Sequence, residues 1–120
     1  MIRRWGMLWC AALCGILLVA CGGPEAKKMK FFNKAMGYYG KADYVRAGLE
    51  FKNAIQIDPK FAEAHYMLGM ANLGRGNFGG AYSAFSKAVD LNPGHVQAQL
   101  QLGKLLLGGG EREKAMEKAE

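Results

Sequence analysis

The sequence predicts an all-α fold, a stack of antiparallel helical hairpins behind a short apolar leader. Three observations predict it. Small and apolar residues recur at helical spacing, as in Ala64, Met67, Leu68 and Ala71, and again in Phe78, Ala81, Tyr82, Phe85, Ala88 and Val89. Helix breakers punctuate these runs at Gly74 to Asn77 and at Asn92-Pro93-Gly94, since proline cannot continue a helix and disfavours helical geometry just before it. From Lys28 onward the pattern repeats every 34 residues: Gly40, Gly74 and Gly108 are in register, as are Ala47, Ala81 and Ala115. A fixed period with matched helix stops is the signature of a solenoid, in which no hairpin buries its own apolar face and neighbours supply the core.

The leader comes first. Arg3 and Arg4 precede an uncharged run from Trp5 to Ala20. The run is short for a membrane-spanning helix, which needs about 20 apolar residues, and suits the core of a signal peptide. An ordinary secretory cleavage site is disfavoured because Leu18 is large where a small residue is required. Leu18-Val19-Ala20-Cys21 instead resembles a bacterial lipobox. The resemblance implies that the chain is cut before Cys21 and that its sulfur carries a diacylglyceryl group. Residues 1–20 are then a lipoprotein signal peptide. The alternative is an uncleaved anchor helix with a chance cysteine. Processing would remove Cys10 and Cys14 and block Cys21, leaving no thiol for a disulfide or a metal. Several acyl chains, at about 0.8 kcal/mol per buried methylene, give stable membrane attachment.

Residues 21–27 follow as the lipidated cysteine and a short linker, which holds the folded part close to the bilayer. The formal charge of the whole chain is +6. Loss of Arg3 and Arg4 leaves fourteen basic residues against ten acidic ones, or about +4. Lys27, Lys28, Lys30 and Lys34 concentrate this excess. They suit either anionic lipid head groups or, the reading favoured here, a solvated first helix. No basic stripe interleaved with aromatics points to nucleic acid.

The first unit spans residues 28–61, the second 62–95, and a partial third 96–120. Phe51 matches Phe85, Ala54 matches Ala88, Pro59 matches Pro93, and Leu68-Gly69 recurs as Leu102-Gly103. Asp43 and Asn77 match as helix N-caps. Ala35, Gly69 and Gly103 are the small residues expected to let paired helices approach closely. Gly108 to Gly110 falls where a third hairpin turn is expected. Gly79 and Gly80 weaken their helix, by up to about 1 kcal/mol each relative to alanine.

Period and residue types together resemble the tetratricopeptide repeat. In the second unit Leu68-Gly69, Ala81, Phe85, Ala88 and Pro93 stand where that repeat places them; His65 replaces its first aromatic and Asn72 its tyrosine. In the first unit Phe31, Ala35, Tyr38, Ala47, Phe51, Ala54 and Pro59 fit, and Lys34 departs at the leucine position. The third shows Leu102-Gly103 and Ala115. The resemblance implies a right-handed solenoid whose first helices line a concave groove. Those positions hold Met29, Phe32, Met36 and Tyr39, then Glu63, Tyr66, Met70 and Leu73, then Gln97, Leu100, Lys104 and Leu107. Phe32, Met36, Tyr39, Tyr66, Met70, Leu73 and Leu100 are the candidate partner-binding residues. Methionines and aromatics suit a partner helix or extended peptide. Relatives that clamp a C-terminal carboxylate carry lysine and asparagine where Phe32, Met36, Tyr66 and Met70 stand, so no such clamp is expected. Coverage by the chain itself, as a homodimer or within a longer array, remains the alternative.

No catalytic constellation is present. His65 and His95 lie 30 residues apart with no carboxylate at a recognisable spacing; His65 is expected to pack as a neutral aromatic substitute. Gly108 to Gly110 lacks the Lys-Ser/Thr pair of a phosphate loop. No enzyme activity, cofactor or metal is therefore expected. The combined features are similar to those of tetratricopeptide lipoproteins of exopolysaccharide export and exosortase sorting. They imply a lipid-anchored scaffold facing the periplasm, on the outer rather than the inner membrane. A pilotin-like lipoprotein that assembles a secretin or type IV pilus is the second reading. A third is the N-terminal part of a longer repeat protein, or of an enzyme whose catalytic domain followed.

Overall fold

The structure is a computed structural model that describes residues 23–119, with side-chain surroundings as far as Gly109. The expected signal peptide, residues 1–20, and Cys21 lie outside the described residues. Among the described residues five α-helices follow one another: α1 (Pro24–Gly40), α2 (Tyr44–Ile57), α3 (Ala62–Gly74), α4 (Phe78–Leu91) and α5 (Val96–Ala119). Each packs against the next, so α1–α2 and α3–α4 are the hairpins and α2–α3 joins them. No helix among the described residues is long and apolar enough to cross a membrane.

The helix ends follow the sequence signals. Asp43 caps α2 by accepting the Arg46 N–H at 3.2 Å, and Asn77 caps α4 by accepting the Gly80 N–H at 3.0 Å. Each hairpin turn closes on a matched bond: the Asp43 N–H donates to the Tyr38 carbonyl at 3.0 Å and the Asn77 N–H to the Asn72 carbonyl at 2.8 Å. One residue before each cap the backbone turns left-handed, at Gly76 (φ 74°) and at Ala42 (φ 60°). Glycine adopts that conformation freely; alanine does so against its Cβ. Between hairpins, Asp58 accepts the Lys60 N–H at 3.1 Å and Asn92 accepts the Gly94 N–H at 3.2 Å, turning the chain around Pro59 and Pro93.

Two expectations are corrected. Residues 24–27, read as linker, are the first turn of α1. Pro24 sits at its first helical position, where the missing N–H costs nothing, and Glu25 complements the helix dipole. The turn expected at Gly108 to Gly110 does not form, and α5 runs through it without a break. The position that is Asp43 and Asn77 in the earlier units is Glu111, a helix former rather than a cap.

Packing confirms why the small residues are small. Ala35, Ala47, Ala54, Ala64, Ala71, Ala81, Ala88 and Ala98 are fully buried, and Phe51 and Phe85 are the largest fully buried side chains. A Cβ placed on Gly69 would lie 2.5 Å from the Phe85 ring, so the ring occupies the space that only glycine leaves. Gly103, the matching glycine of α5, has nothing within 4 Å of a Cβ. The close approach expected there is absent, because α5 continues straight and folds no second helix back onto itself.

Gly69→Ala is expected to destabilise the fold by about 1–3 kcal/mol through overpacking. Gly103→Ala is expected to stabilise it by up to about 1 kcal/mol through helix propensity. Urea unfolding read by circular dichroism separates the two, and equal effects would contradict the packing described. Ala42→Gly is expected to add roughly 0.5–1 kcal/mol in the same assay by relieving the left-handed alanine.

Candidate functional site

Each unit builds a three-ring cluster at the junction with the next. Phe32 packs on Phe51 (centroids 5.6 Å apart) and on Phe61 (5.0 Å). One period later Tyr66 packs on Phe85 (5.8 Å) and on His95 (4.7 Å). These clusters fix how far the seven expected groove residues are exposed. Tyr66 is only 8% exposed and belongs to the core; Phe32 is half-buried between its two partner rings. Tyr39 is half-buried edge-on to Tyr44 at 5.4 Å, and Met70 and Leu73 are half-buried beside the core. Met36 (39%) and Leu100 (55%) are exposed. Of the seven, Met36 and Leu100 are therefore the exposed ones, Phe32, Tyr39, Met70 and Leu73 are half-buried, and Tyr66 is buried.

The phenols add no charge there at neutral pH. Burial holds the Tyr39 hydroxyl above its ordinary value, helped by Tyr44. Burial does the same at Tyr66, helped by Glu63 and Tyr39.

Both histidines serve the turns between hairpins. His65 donates from Nε2 to the Pro59 carbonyl at 3.0 Å, and Gln99, one period on, donates to the Pro93 carbonyl. His65 thus pins a turn, a role beyond the aromatic filling expected of it. His95 accepts the Ala98 N–H on Nδ1 at 3.1 Å, capping α5. An accepting Nδ1 leaves Nε2–H to donate, and it meets the Glu63 carboxylate at 2.9 Å. This carboxylate partner, 32 residues back in sequence, is the one the sequence reading missed. The period does contain the signal: His95 matches Phe61, the last residue of the first unit, which places it at the junction with the third unit, beside Tyr66. Among the described residues no group of three or more histidine, cysteine or acidic side chains is placed to hold a metal ion.

The lysine cluster divides. Lys28 is buried, with Nζ 2.9 Å from Asp58, 3.0 Å from Glu25 and 4.6 Å from the centre of the Phe61 ring. It staples the start of α1 to the turn between the hairpins. Lys34 lies 3.6 Å from Glu50, while Lys27 and Lys30 are exposed. The hydrogen bond to Asp58, then that to Glu25, raises the Lys28 ammonium above its ordinary value. The same Lys28 bond, followed by the Lys60 N–H, lowers the Asp58 carboxyl.

The folded part is thus a tetratricopeptide-type solenoid of helical hairpins. The comparisons with known proteins agree on this fold. The model of the family described as Tetratricopeptide repeat matches residues 72–117. Among solved structures, the chain is similar to that titled "Crystal structure of MamA", with a TM-score of 0.68 and 22% identity over 75% of this chain. It spans about half, 53%, of the length of that structure. At this identity the likeness shows the fold alone. No curated protein matches the chain.

A depressed carboxyl stabilises the fold above its unfolded value and loses that contribution as the pH falls through its folded value. Asp58→Asn keeps the turn geometry that Asn92 shows one period later and removes only the charge. It is expected to lower the melting temperature at neutral pH. The gap to the unsubstituted chain should close as the pH drops well below 3.8, the ordinary carboxyl value. A gap independent of pH would disprove the staple.

Proposed function

We propose that the protein is a non-catalytic, lipid-anchored scaffold at the bacterial envelope, facing the periplasm, which grips an apolar helix or extended peptide. One observation carries the binding part: Met36 and Met70, and Tyr39 and Leu73, stay at least partly accessible at matching positions of the first helices of two successive units, and Leu100 is exposed on the next helix at the position matching Phe32 and Tyr66. Stacked hairpins present such extended surfaces as their general mode of use. Flexible methionines beside rigid rings adapt to apolar partners. The anchor rests on Leu18-Val19-Ala20-Cys21 behind Arg3, Arg4 and the apolar run. Export of exopolysaccharide or sorting of surface proteins is the setting that this combination supports best. The outer membrane is the membrane proposed.

The test replaces Met70 with a photo-crosslinking amino acid in cells and reads the adducts together with the mass of the mature N-terminus. A discrete partner protein is expected, lost on combining Met36→Glu with Leu73→Glu, along with a thioether-linked diacylglyceryl group on Cys21. Adducts of the chain with itself alone would make the surface a self-association face. A Cys21→Ser form that is processed and released normally would remove the anchor from the proposal.

A further inference from the structure

The other side of α3 carries a different surface. His65, Leu68 and Asn72 stand on the opposite face of that helix from Met70 and Leu73, by the 3.6-residue turn. There they line an open cleft of about 590 Å³ between α2, α3 and α4. Lys52, Arg75 and Lys87 line it too, and none of the three is ion-paired among the described residues. Asp90 is the single acidic residue of the lining. The cleft is therefore cationic, whereas Lys28 and Lys34 elsewhere are matched by carboxylates.

Asn72 marks the centre. It is only 7% exposed, yet its side chain makes no hydrogen bond to any described residue. No fully buried side-chain polar atom among the described residues lacks a partner, so the Asn72 amide reaches solvent through the cleft that it lines. Gly80 opposite holds the space open. A Cβ there would lie 2.7 Å from Asn77 Nδ2 and 3.0 Å from Asn72 Nδ2. Asn77 already uses Oδ1 to accept the Gly80 N–H, which leaves its Nδ2 hydrogens to donate. Two amide donors thus converge over Gly80, at the positive end of the α4 dipole, with the Arg75 guanidinium on the same rim.

We propose that this cleft binds an extended acidic peptide, with one carboxylate over Gly80 between Asn72 and Asn77 and a second against Lys87. A carboxylate is acceptor-only and matches the donors that Asn72, Asn77, Arg75 and the two lysines bring to the cleft. Gly80 and Lys87 are seven residues apart on α4, about 10 Å along the helix. An extended chain covers that in about three residues, so the two acidic residues stand three apart. Lys52, across the cleft on α2, faces the same segment. Asp90 sets the far end, where a further acidic residue would be repelled. This surface is independent of the apolar one on the concave side, and either can fail alone.

The test is fluorescence anisotropy on the full chain with two fluorescein-labelled octapeptides of serine and glycine. One carries two glutamates three positions apart, and the other carries the same glutamates adjacent. The spaced peptide is expected to bind at least fivefold more tightly. Asn72→Ala and Lys87→Glu should each weaken it at least fivefold, and Lys30→Glu, the same charge change on α1, less than twofold. If Asn72→Ala lowers the melting temperature, Lys52→Glu takes its place with the same expected loss. Equal weakening by Lys30→Glu would reduce the effect to net charge and overturn the proposal. So would equal binding of the two peptides, or complete displacement by inorganic phosphate at an equal concentration of anion, which would make this a simple anion site.

Discussion

The contact between Gly69 and the Phe85 ring sets the distance at which the two helices of the second hairpin lie. The ring fills the volume that a Cβ would take, and the rest of the unit is arranged around it. Tyr66 stacks on the same ring, His95 stacks on Tyr66, and the next helix starts from there. The first hairpin repeats the scheme with Ala35, Phe51, Phe32 and Phe61. Core volume in this fold comes from one large ring per unit set among alanines and glycines. A change in the ring or in its small neighbours therefore alters helix spacing directly. Removing a buried phenylalanine of this kind costs about 3–5 kcal/mol, a large share of the stability of a small domain.

Polar chemistry distinguishes the two junctions that the rings make alike. At the first, Lys28 binds Asp58 and Glu25 over the face of Phe61. At the second, Ala62 stands at the position matching Lys28, and the link passes instead from Glu63 to His95 and on to the cap of α5. Each linkage joins a first helix to the turn or helix that follows the hairpin. Apolar packing gives the spacing, and these bonds hold the angle. Among the described residues Lys52, Arg75 and Lys87, on one side of the stack, take part in no ion pair.

What the sequence made legible is whatever is local or carried by the period. The caps at Asp43 and Asn77, the stops before Pro59 and Pro93, and the tight seat of Gly69 all follow from residue type and position. Contacts with no counterpart one period away did not follow. Lys28 looked like one of four surface lysines, because nothing in a single helix shows that a turn 30 residues later carries Asp58. Glycines at 108–110 looked like a turn, yet turns in this chain depend on the cap that comes after them, and Glu111 supplies none. Tyr66 looked like groove lining; its position serves lining or core according to the rings on either side, and Phe85 and His95 settle it as core. The cleft beside Asn72 escaped notice because Asn72 stands where the repeat has a tyrosine, and the substitution reads as a defect until Gly80 is seen opposite it.

The second ring cluster has a consequence for how such a chain can change length. Residues 62–95 end on His95, which occupies the place that Phe61 holds at their beginning. A tandem duplication of those residues would set the new Ala62 behind a ring already seated on Tyr66. Glu63, Tyr66 and His95 would recur in the same relation, and so would the seat of Phe85 on Gly69. The added copy would bring its own ring cluster and its own Glu63–His95 link, and the one helix pair new to the chain, α4 against the next α3, would form where α2–α3 and α4–α5 now stand, so the number of hairpins could grow by a single recombination event.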